Sequence, residues 1–112
     1  MQYPASTFAP RDLRNRTLTL LIDGQGTLVN HFNAAGGGTF SFNGTPGAVL
    51  EYDWTQGIYR GDIWPIYYDW LNPLTLQFFF ASDGGGTFSG RVYDFLGNYL
   101  GDIAGSFTLS RP

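Results

Sequence analysis

The sequence predicts an all-β fold, a single small antiparallel β-barrel or sandwich of eight or nine short strands with an extended N-terminal arm. Three observations predict it. Apolar and polar residues alternate at period two along most of the chain. Turn residues interrupt that alternation at spacings of about 8 to 14 residues. Sixteen glycines and six prolines in 112 residues leave little room for long helices. The length and the 43% hydrophobic share suit one core, so residues 1–10 read as the arm and residues 11–112 as the barrel domain.

The arm carries Pro4 and Pro10 but also Tyr3 and Phe8, two rings that a solvated tail would not need. It is expected to dock on this barrel or on a neighbouring copy. From Arg16, Leu18, Leu20 and Ile22 share one face until Asp23-Gly24-Gln25-Gly26 turns the chain. Thr27 to Phe32 returns with Leu28, Asn30 and Phe32 together. Gly36-Gly37-Gly38 opens Thr39 to Asn43, and Asn43-Gly44-Thr45-Pro46-Gly47 closes it with strong turn chemistry. Ala48 to Trp54 lines up Ala48, Leu50, Tyr52 and Trp54 against Val49, Glu51 and Asp53, giving one apolar face and one acidic face. Ile58 to Trp70 reads as a long or bent strand, with an edge position or a bulge expected at Pro65.

Leu74 to Ala81 is the clearest core strand, with Leu74, Leu76, Phe78 and Phe80 on one side. Ser82-Asp83-Gly84-Gly85-Gly86 turns the chain and Thr87 to Phe95 returns. After a turn at Leu96-Gly97-Asn98, Tyr99 to Ile103 and Gly105 to Ser110 complete the set. Gly-Gly-Gly-Thr-Phe-Ser at 36–41 and 84–89, and Gly-Asp-Ile at 61–63 and 101–103, recur at unequal offsets. They read as repeated hairpin grammar rather than duplication.

Several classes of chemistry are excluded. The chain has no cysteine, hence no disulfide, thiol nucleophile or zinc-thiolate site, and its six basic residues are all arginine, so a Schiff base and a P-loop lysine are absent. His31 is the only histidine. Nine scattered acids give a net charge of −3 and no basic patch, which argues against nucleic acid as partner. No apolar run approaches the length of a membrane helix, and the N-terminus has neither the basic start nor the apolar core of a signal peptide. No cofactor or metal is expected. Asp23-Gly24 and Asp83-Gly84 supply one carboxylate each, short of the six to eight oxygens calcium takes.

Tyr52, Trp54, Trp64, Tyr67, Tyr68 and Trp70 are the unusual feature, six rings on adjoining strands. They suit a ligand wall, since flat rings stack on sugars or apolar molecules while tyrosine and tryptophan keep a polar tip. They suit core plus oligomer interface better, because a small barrel has little lumen to spare. Glu51, Asp53 and Asp69 are possible polar partners. A glycosidase pair needs a defined separation and one acid in an apolar setting. Acids alternating with apolar residues more often mark a solvated outer face.

Arg60-Gly61-Asp62 matches the tripeptide integrins recognise, but its echo at Leu100-Gly101-Asp102 points to a turn. Asn15-Arg16-Thr17 and Asn43-Gly44-Thr45 match the glycosylation sequon, relevant only in a secreted eukaryotic chain. His31 reads as a strand histidine with an ordinary hydrogen bond.

The order of motifs, Leu13-Arg14-Asn15-Arg16-Thr17-Leu18-Thr19-Leu20, Glu51-Tyr52-Asp53-Trp54, Leu74-Thr75-Leu76-Gln77-Phe78, Gly86-Thr87-Phe88-Ser89-Gly90 and Gly105-Ser106-Phe107-Thr108-Leu109, resembles small calycin-like β-barrel modules of secreted or surface bacterial proteins. The likeness runs over about residues 11 to 110 and implies the fold and an extracellular or surface setting, with no catalytic residue to carry over. Low charge (13%) and abundant rings (18%) favour a covered surface. The function expected is therefore non-enzymatic association, as a homo-oligomer or on a larger assembly, through aromatic patches, edge strands and the arm. The alternative is a barrel enclosing a small apolar or carbohydrate ligand, even a cofactor-free cyclase that shapes its substrate.

Overall fold

A computed structural model of the chain describes residues 8–110. Eight strands, β1 (Thr17–Ile22), β2 (Gly26–Phe32), β3 (Gly38–Phe42), β4 (Thr45–Gln56), β5 (Arg60–Tyr68), β6 (Leu74–Ser82), β7 (Gly85–Tyr93) and β8 (Tyr99–Leu109), each pair antiparallel with the next. β8 returns to β1, with Leu20 opposite Phe107, and closes the barrel. No helix among the described residues is long and apolar enough to cross a membrane.

The alternation sends the expected side chains inward. Leu18, Leu20 and Ile22 of β1, Leu28 and Phe32 of β2, and Leu74, Leu76, Phe78 and Phe80 of β6 are all buried. Each such side chain contributes about 1.5–3 kcal/mol by leaving water. Phe107 packs edge-on against both Phe78 and Phe80, at 5.0 and 4.9 Å between centroids, so rings from β6 and β8 fill the lumen between them. Asn43 and Gly44 both take positive φ (50° and 90°), which is the two-residue hairpin turn that Asn-Gly favours. The Asn43 side chain then reaches the neighbouring hairpin, its Oδ1 accepting from the Thr27 amide and its Nδ2 donating to the Gln25 carbonyl.

Ala9 and Leu13 of the N-terminal segment are buried in the core cluster. The amides of Phe8 and Ala9 both donate to the Ile58 carbonyl, and the Phe8 ring meets Tyr59 edge-on at 5.1 Å. Trp54 Nε1 donates to the Pro10 carbonyl and Gln56 Nε2 to that of Ala9. The end of the arm therefore docks on its own barrel along the β4–β5 turn. Tyr3 lies outside the described residues.

Several expectations need correction. Tyr99 to Ile103 and Gly105 to Ser110 form one strand, because β8 stays in register with β7 across Gly105 while its second half also pairs with β1. Leu50 is not on the apolar face: a register shift between Val49 and Glu51 changes the phase, so Val49 is buried and Leu50 exposed. Pro65 does sit in a bulge, between Ile63 and Ile66 against β6, but β5 is not an edge. None of the eight described strands is an edge in the closed barrel, so among the described residues association by adding a strand to unpaired amides has no starting point. Arg60-Gly61-Asp62 and Leu100-Gly101-Asp102 lie within strands rather than turns.

Candidate functional site

The bulges of β4 and β5 divide the six rings between the two sides of the wall. Tyr68 is fully interior, tilted against Phe40 at 4.5 Å, its phenol donating to Asn30. Trp54 is half-buried over Phe78 and Phe80 and held by Pro10, while Tyr52 is half-buried against Phe32 at 4.4 Å. Burial, with the Asp12 carboxylate adding to it and Arg14 opposing, pushes the Tyr52 phenol above its ordinary value. Trp70 lies beyond the end of β5, exposed but anchored by Nε1 to the Pro46 carbonyl. Trp64 and Tyr67 face outward from β5. Tyr52, Trp54, Tyr68 and Trp70 thus serve packing or anchoring and do not form a continuous wall.

Glu51, Asp53 and Asp69 are exposed. Glu51 and Asp53 border a shallow hollow with Tyr52, Pro65 and Tyr67, while Asp69 sits beside Gly47 where β3 meets β4. His31 makes the ordinary bond expected of it, Nδ1 lying 2.9 Å from Thr17 Oγ1.

Two connected depressions mark the outer wall instead. The larger, about 480 Å3, runs between Trp64, Tyr67 and Pro73 on one side and Phe95 and Leu96 on the other. The smaller, about 250 Å3, continues past Trp64 over the polar residues Gln77, Ser89, Arg91 and Asp102. Trp64 and Thr75 line both. At the barrel end away from the arm, an apolar hollow of about 150 Å3 between Ile22, Phe42 and Val92 is small beside the roughly 300–1,000 Å3 of ordinary ligand sites.

The turn that walls the larger groove is stiff. Asp94 Oδ1 accepts from the amides of Leu96 and Asn98, Oδ2 accepts from Asn98 Nδ2, and the Gly97 amide donates to the Asp94 carbonyl. Hydrogen bonds led by the Asn98 amide and side chain hold the Asp94 carboxyl below its usual range. On this frame Phe95 is 63% and Leu96 89% exposed, with Tyr99 and Leu100 beside them on β8. The Tyr99 phenol donates to Asp102 at 2.7 Å, which raises its pKa, and Arg91 stands over its ring at 6.0 Å.

Sequence reasoning found Trp64 and Tyr67 but passed over Phe95, Leu96, Tyr99 and Leu100. The available signal was two adjacent apolar residues at the tip of a predicted turn, where polar ones are the rule. No protein-family model, curated protein or solved structure matches the chain.

Proposed function

We propose that the barrel is a non-enzymatic association module whose partner is a second copy of itself, joined through the outer face around Leu96. The observation that carries this is a protrusion beside a groove. A rigid turn lifts Phe95 and Leu96 into water, and the apolar groove under Trp64 and Tyr67 lies next to it. A knob and a hole on one face are what a two-fold interface needs, each copy inserting its knob into the other's hole. Because hydrogen bonds to Asp94 already order the turn, docking loses little conformational entropy. The net charge of −3 leaves only weak repulsion between two copies.

An enclosed-ligand barrel or cyclase draws less support. Leu20, Leu28, Asn30, Ile63, Ile66 and Leu76 are fully buried and occupy the interior such a ligand would need. Light scattering across a dilution series tests the proposal: the expected mass approaches twice that of the chain at high concentration, and Leu96→Asp with Leu100→Asp returns it to one. A monomer at every concentration overturns it.

A further inference from the structure

We propose that the polar cleft on the outer wall of β5 to β8 binds a neutral carbohydrate, one sugar ring packing on Trp64 with its hydroxyls on Gln77, Ser89, Arg91 and Asp102. The cleft shares Trp64 and Thr75 with the apolar groove, so a sugar and a second copy compete for this face, but the site does not rest on self-association.

The cleft is a product of register. Thr75 pairs with Arg91, Arg91 with Asp102 and Gln77 with Ser89, so outward side chains of three adjacent strands form two short rows. The bulge between Ile63 and Ile66 sets Trp64 at the head of the first row, opposite Thr75. Trp64 is 51% exposed, and unlike Trp54 and Trp70 its indole N–H has no partner among the described residues. The side chains of Gln77, Ser89 and Arg91 likewise make no hydrogen bond among those residues, while Asp102 is held in place by Tyr99.

Thr75 supplies the independent mark of a ligand. It lines both the cleft and the adjoining groove, is only 6% exposed, and its Oγ1 is buried with no hydrogen-bond partner among the described residues. Buried hydroxyls are nearly always paired, so an orphan at the floor of a depression marks a place where a hydrogen-bonding group from outside belongs.

The chemistry selects the class. An exposed indole offers a flat apolar face and a polar edge, which matches the C–H face and the hydroxyl rim of a pyranose. Gln77 and Ser89 both donate and accept, Arg91 donates only, and Asp102 accepts only, which suits hydroxyl groups that do both. Arg91 and Asp102 sit side by side and cancel in charge, which disfavours phosphates and carboxylates. The polar lining disfavours a purely apolar guest, whose burial would strand these groups.

The test is titration of cellohexaose, chitohexaose, maltohexaose and mannohexaose against the full chain, read by calorimetry and tryptophan emission. It is repeated on the Leu96→Asp, Leu100→Asp chain, so that failure of association and failure of this site are told apart. At least one hexaose is expected to bind saturably to the Leu96→Asp, Leu100→Asp chain, and to the wild-type chain at concentrations where it is monomeric. Trp64→Ala should weaken that binding at least about tenfold, and Gln77→Ala or Asp102→Asn about three- to tenfold each, as loss of single hydrogen bonds predicts. Trp70→Phe, on another part of the wall, should leave it unchanged. Retention on the matching insoluble polysaccharide identifies a surface glycan as the source, and hexaose binding without retention identifies a free saccharide; both support the site. No saturable binding of any of the four, or binding indifferent to Trp64→Ala, overturns it.

Discussion

The phenol of Tyr68 donates a 2.7 Å hydrogen bond to Oδ1 of Asn30, joining β5 to β2 through the barrel interior. Asn30 passes the connection on, its Nδ2 donating to the Leu18 carbonyl of β1 at 3.3 Å. Three strands are thereby tied inside an otherwise apolar core, and the bonds are formed only when each strand is in register. Tyr68→Phe strands the Asn30 oxygen where water does not reach. Urea unfolding should show a loss of about 1–3 kcal/mol. Tyr68→Phe combined with Asn30→Leu should recover part of that loss, because both polar groups then disappear together.

The same pair makes stability depend on alkaline pH. Burial pushes the Tyr68 phenol far above its ordinary value of 10.0, so the folded chain holds a proton that the unfolded chain gives up. Its contribution is complete below pH 10 and falls as pH rises above it, by up to about 1.4 kcal/mol per pH unit. Tyr52, raised first by burial, acts in the same direction. Melting curves from neutral to strongly alkaline pH should therefore show the gap between wild type and Tyr68→Phe narrowing as pH rises.

Glycine substitutions should separate tight strand crossings from open ones. A Cβ at Gly105 collides with the Leu21 carbonyl and one at Gly86 with that of Phe79, whereas nothing lies within 4 Å of the position at Gly101. Gly105→Ala and Gly86→Ala are each expected to cost about 1–3 kcal/mol in unfolding free energy through forced backbone shifts. Gly101→Ala should be neutral or mildly stabilising, because a strand glycine is the more flexible residue when unfolded.

The docked arm offers a local readout. Trp54→Phe keeps a ring over Phe78 and Phe80 but removes the donor to the Pro10 carbonyl. Its global cost should be about 0.5–1.5 kcal/mol. Limited proteolysis should cut the segment around Ala9 and Pro10 faster in this variant, and faster again when Gln56→Ala removes the second tether.

What the sequence discloses of this molecule is what local alternation controls. Leu74, Leu76, Phe78 and Phe80 fall inward because nothing interrupts the period of two, and Asn43-Gly44 turns because those residues tolerate positive φ. Leu50 departs because the irregularity between Val49 and Glu51 arises from pairing with β5, a partner in space that adjacent residues do not reveal. The same holds for the site. Trp64 and Tyr67 are conspicuous as residues, but which side of the wall they occupy follows from the bulge at Pro65. Thr75, Ser89, Arg91 and Asp102 come from three strands and meet only through register, so no local pattern announces them.

Amide hydrogen exchange, followed at high and at low protein concentration, both detects self-association and locates the contact. Slower exchange is expected on concentrating the wild-type chain, confined to the segment from Asp94 to Leu100 and to β5 around Trp64 and Tyr67, with no such change in the Leu96→Asp, Leu100→Asp chain. Exchange that is identical at every concentration, or protection that grows elsewhere on the barrel, would contradict it.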